Sequence, residues 1–94
     1  MTPQEIFEQA LGYYKGHKEE DYKKAYPLFL EAAEFGHIEA QSYVGRMLSW
    51  GEGIEQNYSE AAIWLRSAAE KGDAKAQARL GHLQMFGKIG RAHV

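Results

Sequence analysis

The chain has no cysteine, only two prolines, a small net charge and no long apolar run. Without cysteine it can form neither a disulfide nor a thiolate nucleophile, which fits a reducing compartment. A formal net charge of −2, with 26% charged residues of both signs, provides no basic stripe for nucleic acid. No apolar segment reaches the roughly 18 residues that a membrane span needs, and the N-terminus lacks a signal-peptide core. We therefore expect no nucleic-acid partner and no membrane insertion, and a cytoplasmic location is favoured.

Residues that could carry chemistry are present but scattered. The histidines His17, His37, His82 and His93 have no partner at helical spacing, so they do not predict a metal site. The acidic run at residues 19–21 precedes an apolar helical pattern, where carboxylates favour the positive end of a helix. The sequence therefore predicts no catalytic residue, no metal ligand and no cofactor, and we do not expect an enzyme.

One segment of the sequence occurs twice. Residues 24–45, KAYPLFLEAAEFGHIEAQSYVG, align with residues 60–81, EAAIWLRSAAEKGDAKAQARLG, at a shift of 36 residues. Paired alanines at helical spacing allow two helices to approach closely. Gly36 and Gly72 fall where a helix end needs a left-handed residue, and Gly51 ends another helix before a turn. The repeated unit is predicted to be helix, tight glycine turn, helix.

Capping signals predict five helices. Thr2 and Glu5 form a capping box for a helix from Pro3 to Tyr14. Asp21 is expected to cap a second helix that reaches residue 35, with a kink at Pro27. The remaining helices are predicted over residues 38–50, 58–71 and 74–86. We expect one domain over residues 1–87, with repeats at about 1–36, 37–72 and a partial 73–87, followed by a poorly ordered tail at 88–94.

The repeated motif resembles a known family. The sequence reads AQSYVG at residues 40–45, GEGI at 51–54, AAIW at 61–64 and AAEKG at 68–72, a pattern similar to the Sel-one-like repeat family, a relative of the tetratricopeptide repeats. The resemblance implies an all-α fold, an α-solenoid of stacked antiparallel helix pairs in a right-handed superhelix, with about two and a half repeats. It implies a protein-interaction module, such as a bacterial adaptor, scaffold or specific inhibitor, that binds a peptide or partner protein in its concave groove. The alternative is an ancillary repeat domain cut from a longer chain whose enzymatic part lies elsewhere.

The resemblance also suggests which side chains face the groove and which pack inside. The expected concave-face residues are Tyr14, Arg46, Trp50, His82 and Phe86. Three of these are aromatic residues at one repeat position, and they either form a binding stripe or pack beneath the following loop. The expected core residues are Trp64, Ala68 and Leu80.

The last predicted helix has no second helix of its own repeat to cover it. One alternative is that it caps the array, with Leu80 and Leu83 buried and with Lys75, Arg79 and Gln84 in water. The other is that Met85 and Phe86 stay exposed and pair with a second copy or a partner. We accordingly expect a monomer or a weak homodimer.

Overall fold

Five α-helices form the part of the chain that this computed structural model describes, residues 1–85. They are α1 (Pro3–Tyr14), α2 (Glu19–Glu34), α3 (Ile38–Trp50), α4 (Tyr58–Glu70) and α5 (Ala74–Met85). No strand occurs in this range, and the predicted all-α fold is confirmed. The end of the predicted domain at residue 87 and the predicted tail lie outside the described residues.

The first helix begins at the predicted capping box. The Thr2 hydroxyl accepts a hydrogen bond from the Glu5 backbone N–H at 3.1 Å, and Glu5 Oε1 accepts one from the Thr2 backbone N–H at 2.8 Å. These hydrogen bonds, the one from the Thr2 backbone foremost, lower the pKa of the Glu5 carboxyl because they stabilise its ionised form. Two of the backbone donors that a helix start leaves unpaired are thereby satisfied.

The second helix begins earlier than predicted. Its N-cap is Lys18, which makes no side-chain capping hydrogen bond, and Asp21 lies within the first turn instead of capping it. Three acidic residues in that turn interact favourably with the positive end of the helix, which explains how it starts without a side-chain cap. The helix continues through Pro27.

The turns that follow α2 and α4 have the same hydrogen bonds. Gly36 and Gly72 have φ values of 94° and 95°, which a residue with a Cβ atom adopts only with strain. The residue after each glycine donates its backbone N–H to the carbonyl of Ala32 or Ala68, in both cases at 3.1 Å. Each helix therefore ends in a Schellman motif that satisfies its last carbonyls.

A glutamine side chain reinforces each of these turns. Gln41 Nε2 donates to the Ala33 carbonyl at 3.2 Å, and Gln77 Nε2 donates to the Ala69 carbonyl at 3.1 Å. Gln41 is buried and its Oε1 also accepts a hydrogen bond from Ser67, whereas Gln77 is exposed. The helix junction is thus a unit of structure that recurs 36 residues later.

The first helices of successive repeats run in the same direction. His37 at the start of α3 contacts Gln4 at the start of α1, and Glu52, just after α3, contacts Tyr14 at the end of α1. Nδ1 of His37 accepts from the Ala40 backbone N–H, so its Nε2 carries the proton and donates to Gln4 Oε1 at 2.7 Å. Each helix packs on the next in sequence, and α3 also contacts α5. Alternate helices are therefore parallel and consecutive ones antiparallel.

The core is formed by small residues beside large ones. Ala25 and Ala61, which the shift of 36 pairs, are both fully buried, and so are Phe29 and Leu65. The Phe29 ring stacks on Tyr43 with centroids 4.7 Å apart and an interplanar angle of 3°. The second helices of the two complete repeats therefore bury equivalent faces.

The three residues expected in the core differ in burial. Ala68 is fully buried. Trp64 and Leu80 are only partly buried and pack against the core from its edge. The buried apolar residues of α5 are Ala76, at 0% exposure, and Leu83, at 3%.

Gly45 lies where α3 and α4 pack closely. A Cβ atom added there would lie 2.5 Å from Cγ and Cδ2 of Leu65, far inside van der Waals contact. Gly81, the equivalent residue of α5, has nothing within 4 Å of such an atom in the described part of the chain. Gly45 is thus needed for helix packing, whereas Gly81 faces open space within residues 1–85.

Candidate functional site

A groove separates α3 from α5, the first helices of the second and third repeats. It encloses about 260 Å³ and is called here the α3/α5 groove; its lining residues are Arg46, Ser49, Trp50, Ala78, Arg79, His82 and Leu83. A second depression of about 300 Å³ adjoins it, and the two share Ser49, Trp50, His82 and Leu83. The parallel course of the two helices places one row of side chains from each helix on opposite walls.

Trp50 provides the largest apolar surface of the groove. It is the last residue of α3, and 66% of it is exposed. The helix ends immediately after it because Gly51 takes a left-handed conformation with a φ of 71° and donates its N–H to the Met47 carbonyl. Tryptophan is highly buried on average and is enriched at interfaces, so an exposed ring beside a cavity is a candidate contact surface.

Arg46 lies one turn before Trp50 and is held by a partly buried polar network. Its Nε is 3.6 Å from Glu52 Oε1, an ion pair too long for a hydrogen bond, and its guanidinium lies 5.9 Å from the Tyr14 ring centroid. The Nε atom is itself buried and has no hydrogen-bond partner among residues 1–85. Arg46 is therefore attracted by charge and by an aromatic ring, while its hydrogen-bonding capacity is little used.

Glu52 links this arginine to the first repeat. Its Oε1 accepts a hydrogen bond from the Tyr14 hydroxyl at 2.9 Å. Burial of the ring, and then the hydrogen bond to the Glu52 carboxylate, raise the pKa of Tyr14 well above its ordinary value. The phenol remains protonated near neutral pH and fixes the carboxylate beneath Arg46.

Arg79 contributes the second positive charge. Its Nη1 donates to the hydroxyl of Ser42 at 2.8 Å, and Ser42 is only 2% exposed. Burial, followed by the nearby charge of Arg46, lowers the pKa of the Arg79 guanidinium. An arginine nevertheless remains charged near neutral pH, so the groove holds two cations that repel each other.

Three of the residues expected on the binding face line this groove, and one does not. Arg46, Trp50 and His82 form its walls. Tyr14 is only 7% exposed and belongs to the core, so the alternative of internal packing is the correct one for this ring. Phe86 lies outside the described residues.

The position of Tyr14 has a clear physical reason. The connection after α1 covers residues 15–18, whereas the connection after α3 covers residues 51–57, so the shift of 36 does not hold for the first helix. The buried residues Ala10 and Tyr14 have the spacing of the buried Val44 and Leu48. Tyr14 therefore belongs to the buried face of α1 and is not the equivalent of the exposed Trp50.

Arg79 is the main groove residue that the sequence interpretation missed. It was expected in water, but it is partly buried and bonded to α3. A signal was available, since Arg79 lies three residues before His82 and so on the same helix face. Gln84 and Lys75 are exposed as expected, Leu83 is buried, and Met85 is 77% exposed.

The described residues do not assemble other recognisable chemistry. Residues 1–85 contain no group of three or more histidine, cysteine, aspartate or glutamate side chains placed to hold a metal ion. In the same range, none of the helices is both long and apolar enough to cross a membrane. The α3/α5 groove combines a cavity, an exposed aromatic ring and two positive charges.

Comparison with known proteins identifies the repeat. The Sel1 repeat family matches residues 8–37, 38–73 and 74–92. The chain is 37% identical over 65 residues to human protein sel-1 homolog 2, a match that covers 69% of this chain and 9% of that protein. It is 39% identical over 64 residues to an exopolysaccharide production negative regulator of Rhizobium meliloti (strain 1021), a match that covers 67% of this chain and 24% of that protein.

Two solved structures are also similar. A protective antigen of uropathogenic Escherichia coli strains that displays an SLR fold aligns with a TM-score of 0.85 at 35% identity, covering 90% of this chain and 18% of that one. A Sel1 repeat protein from Oxalobacter formigenes aligns with a TM-score of 0.81 at 36% identity, covering 90% of this chain and 35% of that one. The chain therefore spans at most about a third of these relatives. With three consecutive matches and the helical solenoid they predict, the chain belongs to the Sel1 repeat family.

Proposed function

We propose that this chain is a protein-interaction module in which the α3/α5 groove holds a segment of a partner protein. Sel1 repeat proteins generally mediate protein–protein interaction. The observation that carries the proposal for this groove is Trp50, which is 66% exposed beside a cavity of about 260 Å³. Tryptophan and arginine are the residues most enriched where interfaces gain their binding energy, and Arg46 and Arg79 lie on the same walls.

The groove is suited to binding because its walls are rigid. Both walls are helices, and the hydrogen bond from Arg79 to Ser42 ties one wall to the other. A preformed site loses little conformational entropy when it binds, so a short segment can gain affinity from few contacts. Such a module acts as an adaptor, a scaffold or an inhibitor of one partner, and the regulator named among its relatives supports this class of role.

A second candidate function is an ancillary repeat domain within a longer protein whose enzymatic part lies elsewhere. The observation that favours it is the small share of each relative that this chain covers, 9% and 24% for the two curated proteins. The length of the encoding reading frame distinguishes the two candidates. In either case the groove serves binding, and no reaction is assigned to this chain.

Self-association is a further part of the proposal. Met85 is 77% exposed at the end of α5, where a solenoid would place its next helix. We expect a monomer at low concentration and at most a weak homodimer. Light scattering from micromolar to millimolar protein measures this, and a stable dimer at micromolar concentration would contradict it.

The binding proposal is tested with two matched variants. Trp50→Ala removes the exposed ring in the groove, and Ile63→Ala removes a side chain of α4 that is similarly exposed, at 63%, but lies outside the groove. Peptides selected from a random phage-displayed library on the parent protein are then measured against both variants by fluorescence anisotropy. Binding that is lost with Trp50→Ala and retained with Ile63→Ala supports the proposal. Equal binding by all three proteins overturns it.

A further inference from the structure

The α3/α5 groove is lined by two positive charges and by no carboxylate. Its charged lining residues are Arg46 and Arg79, and the adjoining depression adds no acidic residue. The nearest negative charges lie outside this lining. Glu52 pairs with Arg46 and accepts from Tyr14, and Asp73 caps the start of α5, where its Oδ1 accepts from the Lys75 backbone N–H.

Both guanidinium groups have hydrogen-bonding capacity to spare. Each arginine has five N–H donors. Arg79 gives one to Ser42, and Arg46 forms only the long ion pair with Glu52, so neither is hydrogen-bonded to a carboxylate within residues 1–85. Two cations brought together in a partly buried site repel each other, and a ligand with a negative charge removes that repulsion.

An apolar surface lies beside these donors. The exposed face of Trp50 and the side chains of Ala78 and Leu83 provide the apolar part of the lining. This surface gains from burial by an apolar group of a ligand, while the guanidinium forks match the two oxygens of a carboxylate. The groove therefore combines two types of recognition in one cavity.

We propose that the segment recognised by this groove carries a carboxylate side chain next to an apolar one, with the carboxylate between Arg46 and Arg79 and the apolar group against Trp50. This inference rests on the proposed binding function and specifies the chemistry of the partner. The favoured partner is an acidic segment of a protein. A nucleic acid is disfavoured because the chain as a whole has a formal net charge of −2 and its two groove cations do not extend into a basic track.

The test begins from the same random peptide selection and reads the composition of the enriched peptides. We expect Asp or Glu adjacent to an apolar residue in peptides whose binding depends on Trp50. Replacing that acidic residue by its amide in a synthetic peptide should weaken binding about 10- to 100-fold, the range expected when charge-assisted hydrogen bonds are lost.

Protein variants show whether the arginines are responsible. Arg46→Gln removes one charge, and Arg79→Lys keeps the charge but loses the planar fork and the reach to Ser42. Each variant should reduce the preference for the acidic peptide over its amide, while Ile63→Ala retains the full preference. Circular dichroism melting of every variant shows whether it remains folded. If Arg79→Lys does not remain folded, Arg46→Gln alone provides the comparison.

The outcomes separate this inference from the proposed function. Trp50-dependent peptides that lack an acidic residue, or an acidic preference that survives in both arginine variants, overturn the inference and leave the binding function standing. If no peptide depends on Trp50, the binding function fails as well. A single-stranded oligonucleotide is assayed in parallel, and binding of it that requires Arg46 in the absence of peptide binding would overturn both.

Discussion

Gly45 and Gly81 occupy the same position in successive repeats, yet we expect opposite effects when each is changed to alanine. Alanine is favoured over glycine in a helix interior by about 1 kcal/mol. At Gly81 nothing in residues 1–85 lies within 4 Å of the added methyl group, so this gain should be retained. Gly81→Ala is therefore predicted to stabilise the protein by about 0.5 to 1 kcal/mol.

At Gly45 the added methyl group would overlap Leu65. The distance of 2.5 Å to Cγ and Cδ2 is at least about 1 Å shorter than a favourable carbon contact of about 3.5 Å or longer. Leu65 is fully buried, and the Ala61 carbonyl oxygen is 3.3 Å from the same position, so α4 has to move. Overpacking of this kind costs about 1 to 3 kcal/mol and outweighs the helix gain. Subtracting a helix gain of about 1 kcal/mol leaves about 0 to 2 kcal/mol, and because the overlap at 2.5 Å is large we predict a net loss in the upper half of this range, about 1 to 2 kcal/mol.

Thermal unfolding measures both variants. For a chain of this size 1 kcal/mol corresponds to about 4 to 8 °C in Tm, so Gly45→Ala should melt clearly below the parent protein and Gly81→Ala slightly above it. A double variant that adds Leu65→Ala should show favourable coupling with Gly45→Ala, because the truncated side chain no longer collides. A Gly45→Ala protein as stable as the parent would refute the close packing of α3 on α4.

Three further predictions concern the junction, the core edge and the aromatic network. Gln41→Leu should lower the free energy of unfolding in urea by about 1 to 3 kcal/mol, because it leaves the buried partners of Gln41 without a hydrogen bond. Gln77→Leu, at the exposed equivalent site, should cost less. Equal losses would contradict this explanation. Trp64→Ala should cost about 2 kcal/mol, below the range for a fully buried tryptophan, and an unchanged urea midpoint would show that the ring does not support the core. The folded-state pKa of Tyr14 is raised above its ordinary value of 10.0, so the folded protein holds the phenol proton more tightly than the unfolded chain does. The contribution of this group to the free energy of unfolding is therefore fully present below pH 10 and decreases at higher pH. Tyr14→Phe should therefore lose less stability between pH 8 and pH 11 than Tyr13→Phe does, because Tyr13→Phe keeps the Tyr14 phenol. Equal losses would show that Tyr14 does not cause the decrease in stability at high pH.

The second helices of the repeats could be predicted well from the sequence. The alanines and large apolar residues that recur at the shift of 36, such as Phe29 and Leu65, are buried equivalently because the glycine turn and the following glutamine fix the same geometry each time. Local signals of this kind act within a few residues and are therefore visible in sequence. The capping box of α1 is another example.

The groove could be predicted only in part. The length of the connection between paired helices differs between the first two repeats, and this difference moves Tyr14 from the expected surface into the core. Arg79 was missed because its burial depends on Ser42, which lies 37 residues earlier in the chain and on another helix. Contacts of this kind depend on how the repeats stack in space. The shift of 36 residues shows which positions are equivalent in sequence, but it does not show which of them touch.

The junction hydrogen bonds have a consequence for how such a protein can change. The hydrogen bonds of the two helix junctions come from the backbone around Gly36 and Gly72 and from the two glutamines, and none of them involves a groove side chain. Among the groove side chains, Arg79 also bonds the preceding repeat, through Ser42, whereas Trp50 does not take part in the junctions. Trp50 can therefore be replaced at little cost in stability, since most of its surface is already in water. A duplicated unit can acquire a new binding preference by mutation of a few residues on one helix face, while the glycines and glutamines that fix its fold stay unchanged. The same separation makes the groove a practical starting point for engineering new specificities on this scaffold.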